Sequence, residues 1–183
     1  MNTKLFHVSE KSDIEVFHPR MPPSPDSGVT EPVVWAITEA LLHNYLLPRD
    51  CPRVTYYAKS TTTESDRDAF CKAGGNKHVV AIESEWVTRV QKTHLTLYEL
   101  PGETFLCAIN EAGYYVSKFT VTPCKTLRVT NIFAELATRD VELRIMPSLW
   151  SLRDAVLASS LAFSFIRMRN ASARVTTLHS SNL

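Results

Sequence analysis

The sequence lacks the charge imbalance and the cysteine patterns that mark several classes of protein. Its 183 residues carry 20 Lys and Arg against 19 Asp and Glu, a net charge of +1. General binding to nucleic acid is therefore not expected, because it requires a basic excess. Its cysteines form no CxxC pair and have no histidine at finger spacing; they are Cys51, Cys71, Cys107 and Cys124. We predict reduced thiols, no disulfide framework and no metal site.

Long hydrophobic runs are also missing. The most apolar stretch, Ala155 to Ile166, is about a dozen residues long and contains three serines. A membrane span needs about 20 residues, so no membrane association is expected. The first residues show no basic segment followed by an apolar one, so no secretory signal is predicted. A cytoplasmic location is expected.

Four common catalytic motifs are absent from the chain: GxGxxG, GxxxxGK[ST], HExxH and GxSxG. The sequence therefore gives no motif evidence for dinucleotide binding on a Rossmann fold, P-loop hydrolysis, zincin chemistry or ordinary serine hydrolysis. The length and the ordinary composition fit one domain over residues 1–170. A Ser/Thr-rich tail, residues 171–183, is predicted to be disordered.

Hydrophobic patterning predicts an α+β fold. Short apolar or alternating runs predict strands, and a capping sequence that begins at Thr63 predicts a helix. Strands and helices alternate early, then several strands follow one another. We predict a mixed or antiparallel central sheet with flanking helices, and a long apolar C-terminal helix over Pro147 to Arg169. The predicted strands are Leu5–Ser9, Val33–Ile37, Arg53–Ala58, His78–Glu83, His94–Leu100, Glu103–Cys107, Tyr114–Val116 and Phe119–Val129.

His7 and Ser9 lie two apart on the first strand, so their side chains share one face. They form a candidate ribose-binding or proton-transfer pair; the alternative is a histidine with its hydrogen bonds satisfied at a sheet end.

Three arginines are candidate anion ligands, because guanidinium groups match phosphate and carboxylate geometry. They are Arg20 in a proline-rich loop, and Arg49 and Arg53 in a charged cluster. The alternative is that Asp50 pairs with one arginine and that the charged cluster only shapes a loop.

Carboxylates and aromatic rings provide further candidates. Glu99 shares a strand face with leucines, and Glu83 ends a strand; each is either held for function or solvated at a strand end. Trp35, Tyr57 and Tyr115 are either a stacking wall for a planar ligand or core residues.

Arg167 and Arg169 follow the apolar C-terminal segment. Either they complement the negative end of a helix dipole or they turn into a shared cleft.

Several segments together resemble an uncharacterised microbial family, a domain of unknown function, and the match spans nearly the whole chain. The segments are Leu5–Glu10, Pro23–Gly28, Val33–Ile37, Leu47–Val54 and Ser164–Ala171.

The segment Leu5-Phe6-His7-Val8-Ser9 also resembles the first-strand H-x-[ST] signature of ADP-ribosyltransferase-like folds. The resemblance implies that His7 and Ser9 orient the ribose of NAD. Two further roles are assigned by residue type only: Tyr57 or Tyr115 for stacking on nicotinamide, and Glu99 for stabilising the oxocarbenium-like centre. Arg49 and Arg53 would meet the pyrophosphate.

Three hypotheses remain open. The first is an ADP-ribosyltransferase-like domain that binds NAD or a related nucleotide and cleaves the nicotinamide–ribose bond. The second is another small-molecule enzyme, a hydrolase or lyase, that acts on an anionic substrate through His7, Arg49 and Arg53. The third is a non-catalytic binding module. The expected ligand is a small anion or nucleotide.

Overall fold

The computed structural model describes residues 3–22, 28–71, 78–110 and 112–174. Residue contacts divide the chain into two compact units, and each unit is built from two stretches of sequence. The first unit comprises Met1–Arg49 and Thr88–Leu143, and the second comprises Asp50–Val87 and Arg144–Leu183. The prediction of one domain over residues 1–170 stays a prediction.

A six-stranded sheet forms the centre of the first unit. Its strands are β1 (Leu5–Ser9), β2 (Val34–Thr38), β5 (Leu95–Leu100), β6 (Leu106–Ile109), β7 (Tyr114–Ser117) and β8 (Lys125–Val129). They lie in the order β6-β7-β2-β1-β5-β8, and neighbouring strands are antiparallel. Successive side chains of a strand point to opposite faces, which fixes what each residue can reach.

One face of this sheet carries a hydrophobic core. Its buried residues come from the central strands and from the loops that cover them. They are Leu5, Phe17, Val34, Ala36, Tyr98, Leu100, Phe105 and Val121. An isolated bridge between Phe17 and Val121 ties two of these loops together.

The second unit contains a four-stranded sheet in the order β10-β3-β4-β9. Its strands are β3 (Arg53–Tyr57), β4 (His78–Glu83), β9 (Val141–Met146) and β10 (Ala162–Ile166), and the boundary between the units falls within β9. β3 runs antiparallel to both β10 and β4. The hydrophobic core of the second unit includes Val54, Tyr56, Leu149 and Val156.

The helices are short. They are α1 (Glu64–Phe70), α2 (Val87–Lys92), α3 (Ile132–Thr138) and α4 (Trp150–Leu157), with 3₁₀ segments at Glu39–Tyr45, Ser84–Trp86 and Met168–Asn170. Thr63 caps α1 as the sequence predicted, because its side chain accepts the Asp66 N–H. Among the described residues, no helix has the length and apolar character that crossing a membrane requires.

The α+β class is confirmed, but the prediction of a long C-terminal helix is wrong. Helix α4 ends at Leu157, and the chain turns and returns as β10. Two serines stop the helix: Ser159 donates its hydroxyl proton to the Val156 carbonyl, and Ser160 donates to Asp66. The next residues alternate as Phe163-Ser164-Phe165, a pattern that suits a strand. The described part of the chain forms two sheets where one central sheet was predicted, and β9 was not anticipated.

Some predictions lie outside the described residues. They concern part of the proline-rich loop (residues 23–27), the Gly74-Gly75 pair at which the helix that begins at Thr63 was expected to end, and most of the C-terminal tail (residues 175–183). The first four residues of that tail are described, and Ser172 and Arg174 make specific contacts within the second unit.

Candidate functional site

The imidazole of His7 bonds to the backbone of the neighbouring strand. Leu5 and Phe6 of β1 pair with residues of β2. At the next residue of β1, His7 Nδ1 lies 3.0 Å from the Trp35 carbonyl oxygen. A carbonyl oxygen only accepts, so Nδ1 carries the proton and donates it, and the neutral ring keeps its lone pair on Nε2. The ring also packs against Phe17 at 4.7 Å between centroids. His7 is therefore half-buried, and its ring is held by the backbone of β2 and by the Phe17 ring.

Burial lowers the pKa of His7, and the positive charges of Arg49 and Arg20 lower it further, against the opposing effect of the Trp35 hydrogen bond. The sequence grouped His7 with Arg49 and Arg53, and allowed Arg20 to join them; the two arginines that act on the charge of His7 are Arg49 and Arg20. The Arg49 backbone N–H is held by the Glu10 carboxylate at 2.8 Å. The neutral imidazole is thus the stable form at neutral pH.

The other residues predicted to work with His7 are placed differently. Ser9 Oγ accepts the Lys11 N–H at 3.1 Å and so forms a local turn. In the β1–β5 register, Phe6 faces Glu99 and His7 faces Tyr98. Paired residues of antiparallel strands share a face and successive residues alternate, so Glu99 lies on the sheet face opposite to His7. These two side chains do not form one catalytic pair.

The aromatic candidates of the first unit serve packing. Trp35 meets Tyr114 edge to face at 5.9 Å between ring centroids. Tyr115 packs against the hydrophobic core of the six-stranded sheet. Stacking of either ring on a ligand stays a prediction.

Arg53 and Tyr57 belong to the second unit. Arg53 is 2% exposed, and its guanidinium donates to the Cys51 carbonyl at 3.2 Å. A side chain so deeply buried is part of the core rather than a surface ligand for pyrophosphate. Tyr57 packs beside His78 with a centroid separation of 4.8 Å.

A pocket of about 390 Å³ opens in the second unit. Three parts of the chain line it. They are the helix wall (Trp150 and Arg153), Phe165 of β10 with Met168 and Arg169 of the 3₁₀ segment that follows, and the C-terminal wall (Ala171–Arg174). Arg169, one of the two arginines predicted to turn into a cleft, is exposed and contributes to this lining. Arg167 instead adopts a left-handed conformation (φ 56°) as it leads into the 3₁₀ segment.

Aromatic rings hold two of the pocket arginines. The Arg153 guanidinium lies over the Phe165 ring at 5.3 Å, and that of Arg174 lies over the Trp150 ring at 5.5 Å. The Asp154 carboxylate pairs with both arginines, at 3.0 Å for Arg153. A guanidinium has five N–H donors, so these contacts leave donors of each arginine for a further anion. The pocket thus combines positive charge with apolar walls.

Sequence reasoning missed Trp150, Arg153 and Arg174. One signal was present: Trp150 and Arg153 are three residues apart, a spacing that places them on one face of a helix. Among the residues that the structure describes, no group of three His, Cys, Asp or Glu side chains is placed to hold a metal ion.

The comparisons with known proteins identify a family but no activity. The model of a family of unknown function, DUF6886, matches residues 6–171. This finding confirms the predicted membership of an uncharacterised family. The search of curated proteins and the search of solved structures returned no match, so the resemblance to ADP-ribosyltransferases gains no support from them.

Proposed function

The chain belongs to DUF6886, whose function is unknown, and we propose that its second unit binds a small anionic molecule in the pocket lined by Trp150, Arg153, Phe165, Arg169 and Arg174. The observation that carries this proposal is the presence of three arginines around one concave surface. The favoured ligands are phosphate-bearing metabolites, nucleotides among them.

The positive charge is suited to phosphate in particular. Guanidinium groups bind phosphate oxygens through paired N–H donors, and such charge-assisted bonds are stronger than neutral ones. Stacking on Phe165 and Trp150 restricts Arg153 and Arg174 before any ligand arrives. Because these side chains already lie in defined positions, binding loses less conformational entropy.

The apolar residues indicate that the ligand carries more than a phosphate. Phe165, Met168, Ala171 and Ala173 contribute carbon surface to the lining. A volume of about 390 Å³ falls within the range of small-molecule sites. A phosphorylated sugar or a mononucleotide would fill it better than inorganic phosphate.

We do not propose ADP-ribosyl transfer at His7. The register places His7 and Glu99 on opposite faces of the sheet, and the Ser9 hydroxyl accepts a turn hydrogen bond. NAD is retained as a nucleotide probe of the pocket. The proposed function is binding of a small anionic ligand, without a catalytic step.

Calorimetric titration with AMP, NAD, ribose 5-phosphate, inorganic phosphate and uncharged adenosine tests the proposal. The phosphate-bearing compounds are expected to bind and adenosine to bind much more weakly. Arg169→Gln should weaken AMP binding by about tenfold, because one charge-assisted contact is lost. Arg128→Gln, at an exposed arginine of β8 in the first unit, is the matched control and should bind like the wild type. Equal affinity for AMP and adenosine would contradict the proposal.

A further inference from the structure

Glu83, at the end of β4, is completely buried, with 0% of its surface exposed. The sequence left open whether this carboxylate is solvated at a strand end or held for a purpose, and its burial rejects the solvated alternative. Removing a carboxylate from water is costly unless hydrogen bonds compensate. The groups that donate hydrogen bonds to the Glu83 carboxylate therefore indicate its structural role.

Three hydrogen bonds reach the Glu83 carboxylate from two parts of the chain. The Leu149 N–H donates to Oε1 at 3.2 Å. Ser172 donates twice, from its backbone N–H to Oε2 at 2.9 Å and from its hydroxyl to Oε1 at 2.8 Å. Leu149 immediately precedes the first residue of α4, and Ser172 lies in the C-terminal wall.

The two donor segments carry two walls of the pocket. Trp150 of the helix wall directly follows Leu149, Arg153 lies four residues after Leu149, and Arg174 of the C-terminal wall lies two residues after Ser172. A further bond joins the same walls, since Trp150 Nε1 donates to the Ser172 carbonyl at 2.7 Å. Glu83 itself is not among the residues that line the pocket.

We infer that Glu83 is the positioning residue of the pocket, which fixes the helix wall and the C-terminal wall at the separation that lets Arg153 and Arg174 hold one anion. This inference rests on the proposed function. Glu83 acts through Leu149 and Ser172 and does not touch the ligand. Its carboxylate accepts all three bonds at once, which a single amide oxygen cannot do with the same geometry.

Glu83→Gln is the main variant, because it preserves size and replaces one acceptor oxygen with an amide donor. The Ser172 N–H would then face an N–H group, so the C-terminal wall should loosen. We expect AMP affinity to fall by about tenfold and exchange of the Ser172 amide hydrogen to accelerate. Ser172→Ala removes only the hydroxyl bond and should lower affinity by about threefold. It replaces Glu83→Gln if that variant does not fold.

Tyr56→Phe separates positioning from general stability. This control removes a buried hydroxyl that bonds to Arg144 in the same unit, and neither residue lines the pocket. Affinities are compared well below each melting temperature. A loss of AMP affinity confined to the Glu83 and Ser172 variants supports the inference. An equal loss in Tyr56→Phe, or wild-type affinity in Glu83→Gln, overturns it.

Failure of the proposed function has a different signature. If the wild type binds none of the anionic probes, the ligand proposal is wrong, and amide exchange alone then decides whether Glu83 anchors the wall. Unchanged Ser172 exchange in Glu83→Gln rejects the anchoring, whatever the ligand.

Discussion

The end of β1 in the first unit and the pocket in the second unit use polar side chains in opposite ways. At β1 the His7 imidazole is engaged by the Trp35 carbonyl and by the Phe17 ring, and its most obvious chemical group supports the sheet. In the pocket, Arg153 and Arg174 rest on aromatic rings and keep donors available. A reactive residue type in a strand therefore says less about function than side chains that converge on a concave surface.

The double variant Arg153→Gln/Arg174→Gln should have the largest effect on ligand binding. We expect the affinity for AMP to fall by about a hundredfold, since two charge-assisted contacts are lost. Titration calorimetry measures the loss. The matched pair Arg20→Gln/Arg49→Gln removes two arginines of the first unit and should leave the affinity unchanged. If the Arg20/Arg49 pair lowered it instead, the site would lie beside His7.

His7→Ala should destabilise the protein without changing its affinity for AMP. The change removes the ring that packs on Phe17 and leaves the Trp35 carbonyl without its donor. We expect the free energy of unfolding to fall by about 2 kcal/mol, measured by urea denaturation. A variant of native stability with impaired binding would assign His7 a ligand role.

The titration of His7 gives a smaller effect. Burial lowers the pKa of His7 below its ordinary value of 6.5, so the unfolded chain binds more protons than the folded one in mildly acidic solution. The free energy of unfolding should therefore fall as pH drops below about 6.5, down to the folded-state pKa of His7. In His7→Phe this part of the pH dependence should disappear, as urea denaturation between pH 5 and about 8 would show. An unchanged profile would contradict a neutral His7 imidazole whose pKa is lowered by the fold.

Asp66→Asn probes the turn that ends α4, and its effect should be the smallest. The hydroxyl and backbone N–H of Ser160 and the Thr63 hydroxyl hold the pKa of Asp66 below its usual value. The stabilising effect is present above the ordinary pKa and is lost as pH falls through the lowered one. The variant should melt slightly below the wild type at neutral pH and should match it in strong acid. A lower melting temperature in both conditions would indicate another role.

The positions of most strands were predictable because their patterns are local. The predicted Leu5–Ser9 and His78–Glu83 coincide with β1 and β4, and Thr63 was recognised as a cap. The pocket was not predictable, because the segment after Pro147 reads as one apolar helix. In a continuous helix, Arg153 and Phe165 would lie about 18 Å apart along the axis. In the structure, a 5.3 Å contact joins them, since the chain reverses after α4.

The sequence by itself determined the α+β class, because short-range periodicity reports directly on secondary structure, and the resemblance of its segments indicated the family. Of the three arginines that line the pocket, it offered only Arg169. Only the tertiary structure decided that His7 and Glu99 lie on opposite faces, that Glu83 is buried, and that Arg153, Arg169 and Arg174 surround one pocket. The reason is physical: strand register and chain reversal are set by packing and by hydrogen bonds between residues that are distant in the sequence.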